Sequence, residues 1–205
     1  MVTMTLTRLL TRTTTRSSTS SPARLIVRAY STPVTKDDSH PHLYFHHLAD
    51  GRRIALSYLE RPPKVTNSKG VIGWLPNDAS AGVGDFKENG EFRTFLHQSI
   101  KKAIETGAAQ TVEVEATTRG SDGFMHISDE RNLPPSGRIP EPEDIIASIY
   151  VRAGKALPET YEPQPMHRLL THDGATILPY GIDAYVLREM EKAVKLEEAE
   201  GTGGE

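Results

Sequence analysis

The chain contains no cysteine. That excludes disulfides, thiolate nucleophiles, zinc–thiolate centres and iron–sulfur ligation by its own side chains. It has one tryptophan, Trp74. No apolar run approaches the roughly 20 residues that a membrane-spanning helix needs. No Gly-Lys-Ser/Thr phosphate loop or complete dinucleotide fingerprint is present, and no serine sits in a Gly-x-Ser-x-Gly turn. The commonest enzyme signatures therefore find no foothold. What remains, at 205 residues, is enough chain to bury a substantial core.

The first thirty residues lack acid altogether. They hold Arg8, Arg12, Arg16, Arg24 and Arg28, no Asp or Glu, and many Ser and Thr. A cationic, hydroxyl-rich, acid-free leader has the composition of a mitochondrial transit peptide. Residues 1–30 are expected to be that peptide, removed near Arg28-Ala29-Tyr30-Ser31, with the mature protein starting around Ser31 in the matrix. The whole chain has 24 basic and 27 acidic residues; loss of those five arginines leaves 19 against 27. An acidic protein repels phosphate backbones, so nucleic acid is not expected as the main partner.

After an extended arm over 31–41, residues 42–196 read as a single α+β domain, followed by an acidic, disordered tail over 197–205. Leu43–Leu48 and Arg53–Leu59 flank Asp50-Gly51, a hairpin signal. That turn sets Phe45 opposite Leu56 and His47 opposite Ile54, with Tyr44, His46 and Arg53 on a more polar face. Gly70–Pro76 reads as a third, short strand, and Trp74 in it as a core anchor with its ring N–H satisfied. Phe92, Phe95, Leu96, Ile100, Ala103 and Ile104 fall at helical spacing, between a cap at Asn89 and a stop at Gly107. Thr111–Thr118 alternates, with Val112, Val114 and Ala116 on one side and Glu113 and Glu115 on the other, and predicts a strand. Strands follow at Phe124–Ser128 and Ile145–Arg152. A second hairpin is predicted around Asp173-Gly174, then a helix through Ile182, Tyr185, Val186, Met190, Ala193 and Val194. The expected architecture is a mostly antiparallel sheet of about seven to eight strands with two amphipathic helices packed on one face.

The stretch Gly123–Val151 carries the most chemistry. Pro134, Pro135, Pro140 and Pro142 stiffen a loop between its two strands, which lowers the entropy lost on ordering it. Around that loop lie His126, Asp129, Glu130, Arg131, Arg138, Glu143 and Asp144. One reading makes His126 a base, Asp129 its orienting carboxylate and Arg138 an anion clamp. A second makes Arg131, Arg138, Glu143 and Asp144, with Trp74, a binding surface. A third has Arg131 and Arg138 pair with Asp129, Glu143 or Asp144 merely to pin the loop. Elsewhere the signals are weaker. His40, His42, His46 and His47 are too far apart or on opposite faces of a strand to share one ion, so no metal site is expected. Gly82-Val83-Gly84 carries Asp85 and Glu88 nearby, which would repel phosphate. Glu113 and Glu115 read as a solvated face.

Two blocks, Val71-Ile72-Gly73-Trp74-Leu75-Pro76 and Arg131-Asn132-Leu133-Pro134-Pro135-Ser136-Gly137-Arg138-Ile139-Pro140-Glu141-Pro142-Glu143-Asp144-Ile145-Ile146, together with the leader, resemble a fungal mitochondrial protein family of unassigned activity. The resemblance implies mitochondrial import and brings no reaction, cofactor or catalytic residue. The function expected is a non-catalytic accessory or assembly factor of the matrix that meets a protein partner through the proline loop, without cofactor or metal. The alternatives are a small-molecule-binding protein or enzyme using His126, Asp129, Arg131 and Arg138, and, last on grounds of charge, an RNA-associated factor.

Overall fold

The computed structural model describes residues 30–202 apart from Thr66, Ser136 and Gly137. The expected leader therefore lies outside the described residues up to position 29, including Arg28 of the processing site. Strands β1 (Tyr30–Lys36), β2 (Tyr44–Leu48), β3 (Arg53–Ser57), β4 (Gly73–Pro76) and β5 (Lys87–Glu88) form an antiparallel sheet in sequence order. The hairpin register is as expected, with Phe45 opposite Leu56 and His47 opposite Ile54. Gly51 supplies the left-handed turn residue at φ +65°. The segment expected as an arm is instead partly β1, paired to β2 with Val34 opposite His46 and Lys36 opposite Tyr44.

The face read as polar is partly buried, although Tyr44 and Arg53 on it keep some exposure. His46 is buried and donates its Nε2–H to the Leu59 carbonyl at 2.8 Å. Ala55 and Ser57 on β3 are also buried, with the Ser57 hydroxyl donating to Gly70 O at 2.6 Å. Trp74 is only half-buried, stays outside the main core cluster, and its Nε1 has no hydrogen-bond partner among the described residues. The core-anchor reading of Trp74 is thus corrected: the pleat of β4 sets it beside Ala55 and Lys87, on the face away from that cluster.

Helix α1 (Gly90–Glu105) is capped by Asn89, whose side chain accepts from Glu91 N at 3.1 Å, and Phe92, Leu96, Ile100, Ala103 and Ile104 are buried along it. It packs against α3 (Ile182–Thr202). That last helix overruns the expected tail: Glu197 accepts from Lys69 N at 3.1 Å, and Glu198 meets Arg61 at 3.2 Å and Lys64 at 3.4 Å.

The segment expected as an alternating strand is helix α2 (Gln110–Thr118). Val112 and Ala116, four residues apart, are buried on one helical stripe, while Val114 is 63% exposed. The Thr117 and Thr118 hydroxyls donate to the carbonyls four residues back, at 2.8 and 2.9 Å, which satisfies them within the helix. Where α3 begins, Gly181 (φ +88°) lies so close to the Ala108 carbonyl and Gln110 N that a Cβ would collide with both. Thr111 Oγ1 donates to Tyr180 O at 3.0 Å across the same junction. The third helix is thus set by a long-range contact.

A second antiparallel sheet contains β6 (Gly123–Ser128), β7 (Ile145–Arg152), β8 (Lys155–Ala156) and β9 (Glu162–Pro163), with β7 central. The short pair β10 (Leu170–Thr171) and β11 (Gly174–Ala175) closes the set. Its turn is His172-Asp173, with Gly174 already opposite Thr171, so the hairpin sits one residue earlier than expected. The fold is α+β with antiparallel sheets, but with three sheets and three α-helices among the described residues. One buried cluster draws on both larger sheets and all three helices. Among the described residues no helix is long and apolar enough to cross a membrane.

Candidate functional site

Strand parity decides where the charged residues of Gly123–Val151 go. On β6, Met125 and Ile127 are buried, while Phe124 and His126 are exposed. Asp129, two residues beyond Ile127, continues the inward set and is fully buried. His126 and Asp129 therefore leave the chain on opposite faces, and the base–orienter pair is not assembled.

On the inward side Asp129 joins a buried ionic network. Its Oδ1 accepts from Arg131 N at 3.0 Å and from Ile177 N at 2.9 Å. Its Oδ2 lies 3.4 Å from His167 Nε2 and 3.5 Å from Arg131 Nε. The Arg131 Nε–H donates to Asp144 Oδ1 at 2.9 Å, and its terminal nitrogens donate to Glu143 O at 2.9 Å and Gly174 O at 3.3 Å. The Arg131, Asp129 and Asp144 side chains are 1%, 0% and 2% exposed. A guanidinium so fully engaged leaves no donor aimed at a ligand. Arg131 and Asp144 are thus removed from the expected binding surface: they pin the proline loop to β10–β11.

The network extends to residues far away in the chain. His167, Thr176, Tyr58 and His40 come from four different segments. Tyr58 OH and His40 Nε2–H both donate to Thr176 O, at 2.7 and 3.0 Å. His40 Nδ1 accepts from His42 N at 3.1 Å, which assigns the neutral tautomer with the proton on Nε2. Burial lowers the His40 pKa, against the opposing pull of the Thr176 carbonyl. Burial also raises that of Tyr58, helped by the negative charge of Asp129. Nearby, His97 Nδ1 meets Tyr161 OH at 2.9 Å, and its pKa is lowered to about 4 by burial, with Arg93 and His167 adding to the effect.

On the outward side lies a cleft of about 660 Å³ between α2, β6 and the proline loop. His126 and Arg138 both line it, as do Arg119, Glu115 and Glu130. His126 Nδ1 is 2.9 Å from Ser148 Oγ on the adjacent strand. None of Arg119, Arg138, Glu115 and Glu130 forms an ion pair within 4.0 Å among the described residues. Burial raises the Glu130 pKa, against a backbone hydrogen bond from Tyr180. Glu143 stands at the edge of the loop, its carboxylate 3.9 Å from Arg168. Trp74 lies on the other large sheet and does not line the cleft. Helix α2 also separates the two acids once read as a strand pair: Glu115 faces this cleft and Glu113 lines a different cavity.

Apolar exposure concentrates here. Of the seven large hydrophobic residues exposed among the described residues, Phe124, Leu133 and Ile139 line the cleft, and Val114 and Tyr180 line the groove that adjoins it at Thr111 and Glu115. Among the described residues no three His, Asp or Glu side chains converge so as to hold a metal ion. The arrangement offers apolar contact, unpaired charge and backbone edge. No family model, curated protein or solved structure matches this chain.

Proposed function

We propose that this chain is a non-catalytic accessory or assembly factor of the mitochondrial matrix, acting by protein–protein contact through the cleft between α2, β6 and the proline loop. The observation that carries the reading is the gathering, among the described residues, of five of the seven exposed large apolar side chains along one cleft and the groove that adjoins it. Contiguous apolar exposure rimmed by charge marks interaction surfaces. The acid-free, arginine-rich leader supports matrix import. The test is salt-resolved affinity purification of the tagged chain from mitochondria, with wild type beside Phe124→Ser/Ile139→Ser. A stoichiometric protein lost from the double variant is the expected result. Turnover of a matrix metabolite by the purified chain would sink the proposal.

A second reading rests on the meeting of His126 and Arg138 in the same cleft. A small anionic ligand would use Arg138 for charge and His126 for a hydrogen bond, without Asp129. A metabolite that co-purifies with wild type and is lost on Arg138→Ala would favour it.

A further inference from the structure

The cleft floor is a free sheet edge, and the hydrogen bonds of β7 show which groups it offers. In an antiparallel pair, each residue points its N–H and C=O to the same side, and successive residues alternate. Tyr150 N donates to Thr160 Oγ1 at 2.9 Å, and Tyr150 O accepts from Leu157 N at 2.9 Å. Ile146 O accepts from Gln164 N at 3.0 Å. The even-numbered residues of β7 therefore face away from β6. Their register partners follow: Phe124 opposite Tyr150 and His126 opposite Ser148 are non-hydrogen-bonded pairs. The N–H and C=O of both Phe124 and His126 point off the sheet, and among the described residues no strand pairs with β6 on that side.

Charge of both signs lines the same cleft, with Glu115 near enough to Arg119 and His126 to feel both, and the two ends of β6 differ. Arg119 lies at its start, with a terminal nitrogen 3.6 Å from the position a Cβ would take on Gly123. Glu130 follows its end, just past Ser128 and Asp129. A strand running antiparallel to β6 meets Glu130 first and Arg119 last. The edge is recessed between a helix and a proline loop, so one extended segment reaches it where a second copy, with its own edge equally recessed, does not.

We infer that β6 accepts an extended segment of a partner protein as an added antiparallel strand, hydrogen-bonded to Phe124 and His126, with a basic residue toward Glu130 and an acidic residue toward Arg119. Main-chain bonds supply affinity in such augmentation, and alternate side chains supply choice; here Phe124, Leu133 and Ile139 meet the apolar ones. This deepens the docking reading and rests on it.

The experiment is selection of random seven-residue peptides displayed on phage against the immobilised full chain. Peptides with a basic residue, two apolar residues in alternation and an acidic residue are expected to enrich. Hydrogen exchange on the complex with the synthesised winner should protect the amides of Phe124 and His126. His126→Pro removes the outward N–H at an edge position that tolerates proline, and should weaken binding at least tenfold. If that variant misfolds, exchange on the wild type decides alone. Absence of enrichment overturns the inference, as does a peptide-free dimer that protects the same two amides. A winner that needs Phe124 and Ile139 side chains but leaves both amides exchanging overturns strand addition and spares the docking reading. A winner indifferent to all three residues overturns both.

Discussion

Two groups of charged residues leave the stretch Gly123–Val151 on opposite sides of one strand. Asp129, Arg131 and Asp144 turn inward, where their side chains meet one another, Asn132 of the loop, Gly174 of β11 and Ile177 just beyond it. His126, Arg138 and the neighbouring Arg119 turn outward into a cleft, where the two arginines have no ion-pair partner among the described residues. Arginine occurs in both groups. What differs is satisfaction: a buried charge has to be paired, because desolvation costs several kcal/mol per ion, whereas an exposed charge can stand free in water and be recruited later. The inward set ties the loop to the rest of the fold, and the outward set lines the cleft through which we propose that a partner docks.

The comparison breaks most sharply at Arg131. Arg131→Met leaves two buried carboxylates uncompensated, and about 3–5 kcal/mol of stability should be lost. A thermal melt should show the midpoint falling by roughly 10 °C. A change under 2 °C would mean that the network is incidental to stability.

The next largest effect is one of pH. His97 has its folded pKa lowered to about 4, below the ordinary value of about 6.5. The unfolded chain then binds the extra proton between these values, so stability is full above about pH 6.5 and falls as pH drops toward about 4. The loss should be on the order of 2–3 kcal/mol in urea titrations. His97→Gln, which can still meet the Tyr161 hydroxyl, should flatten that dependence; an unchanged profile would assign it to other groups.

Helix α2 repeats the inside–outside contrast on a smaller scale. Val112→Ala, at a buried site, should cost about 2 kcal/mol, and Val114→Ala less than about 0.5 kcal/mol. Equal costs would restore the strand reading, in which both valines share a face. Smallest of all, Arg138→Ala should leave stability within about 0.5 kcal/mol of wild type while weakening partner capture. A large loss of stability there would move Arg138 into the structural set.

Much of this was legible in the residues. The Asn89 cap, the apolar stripe of α1 and the register about Asp50-Gly51 follow from local rules. The separation of His126 from Asp129 was legible too, since residues three apart on a strand face opposite ways; sequence proximity alone had suggested a pair. Thr111–Thr118 misled because Val112 and Ala116 fit both periods. Only the exposure of Val114 decides between them. His167, Thr176 and Tyr58 were invisible as site residues because each is defined by partners far away in the chain, 38 residues for His167–Asp129 and 118 for Tyr58–Thr176.

Composition, hydrophobic period and proline geometry act locally, and they alone give the absence of thiol chemistry, the acid-free first thirty residues, the α+β class and the proline-rich character of the loop. Contacts across the fold make α2 a helix, commit Arg131 to Asp144 and Asp129, and leave the Phe124–His126 edge without a paired strand among the described residues. Each of those depends on which segments meet. Burial of a charge or freedom of a strand edge is a property of neighbours brought together across the fold, which no local pattern encodes.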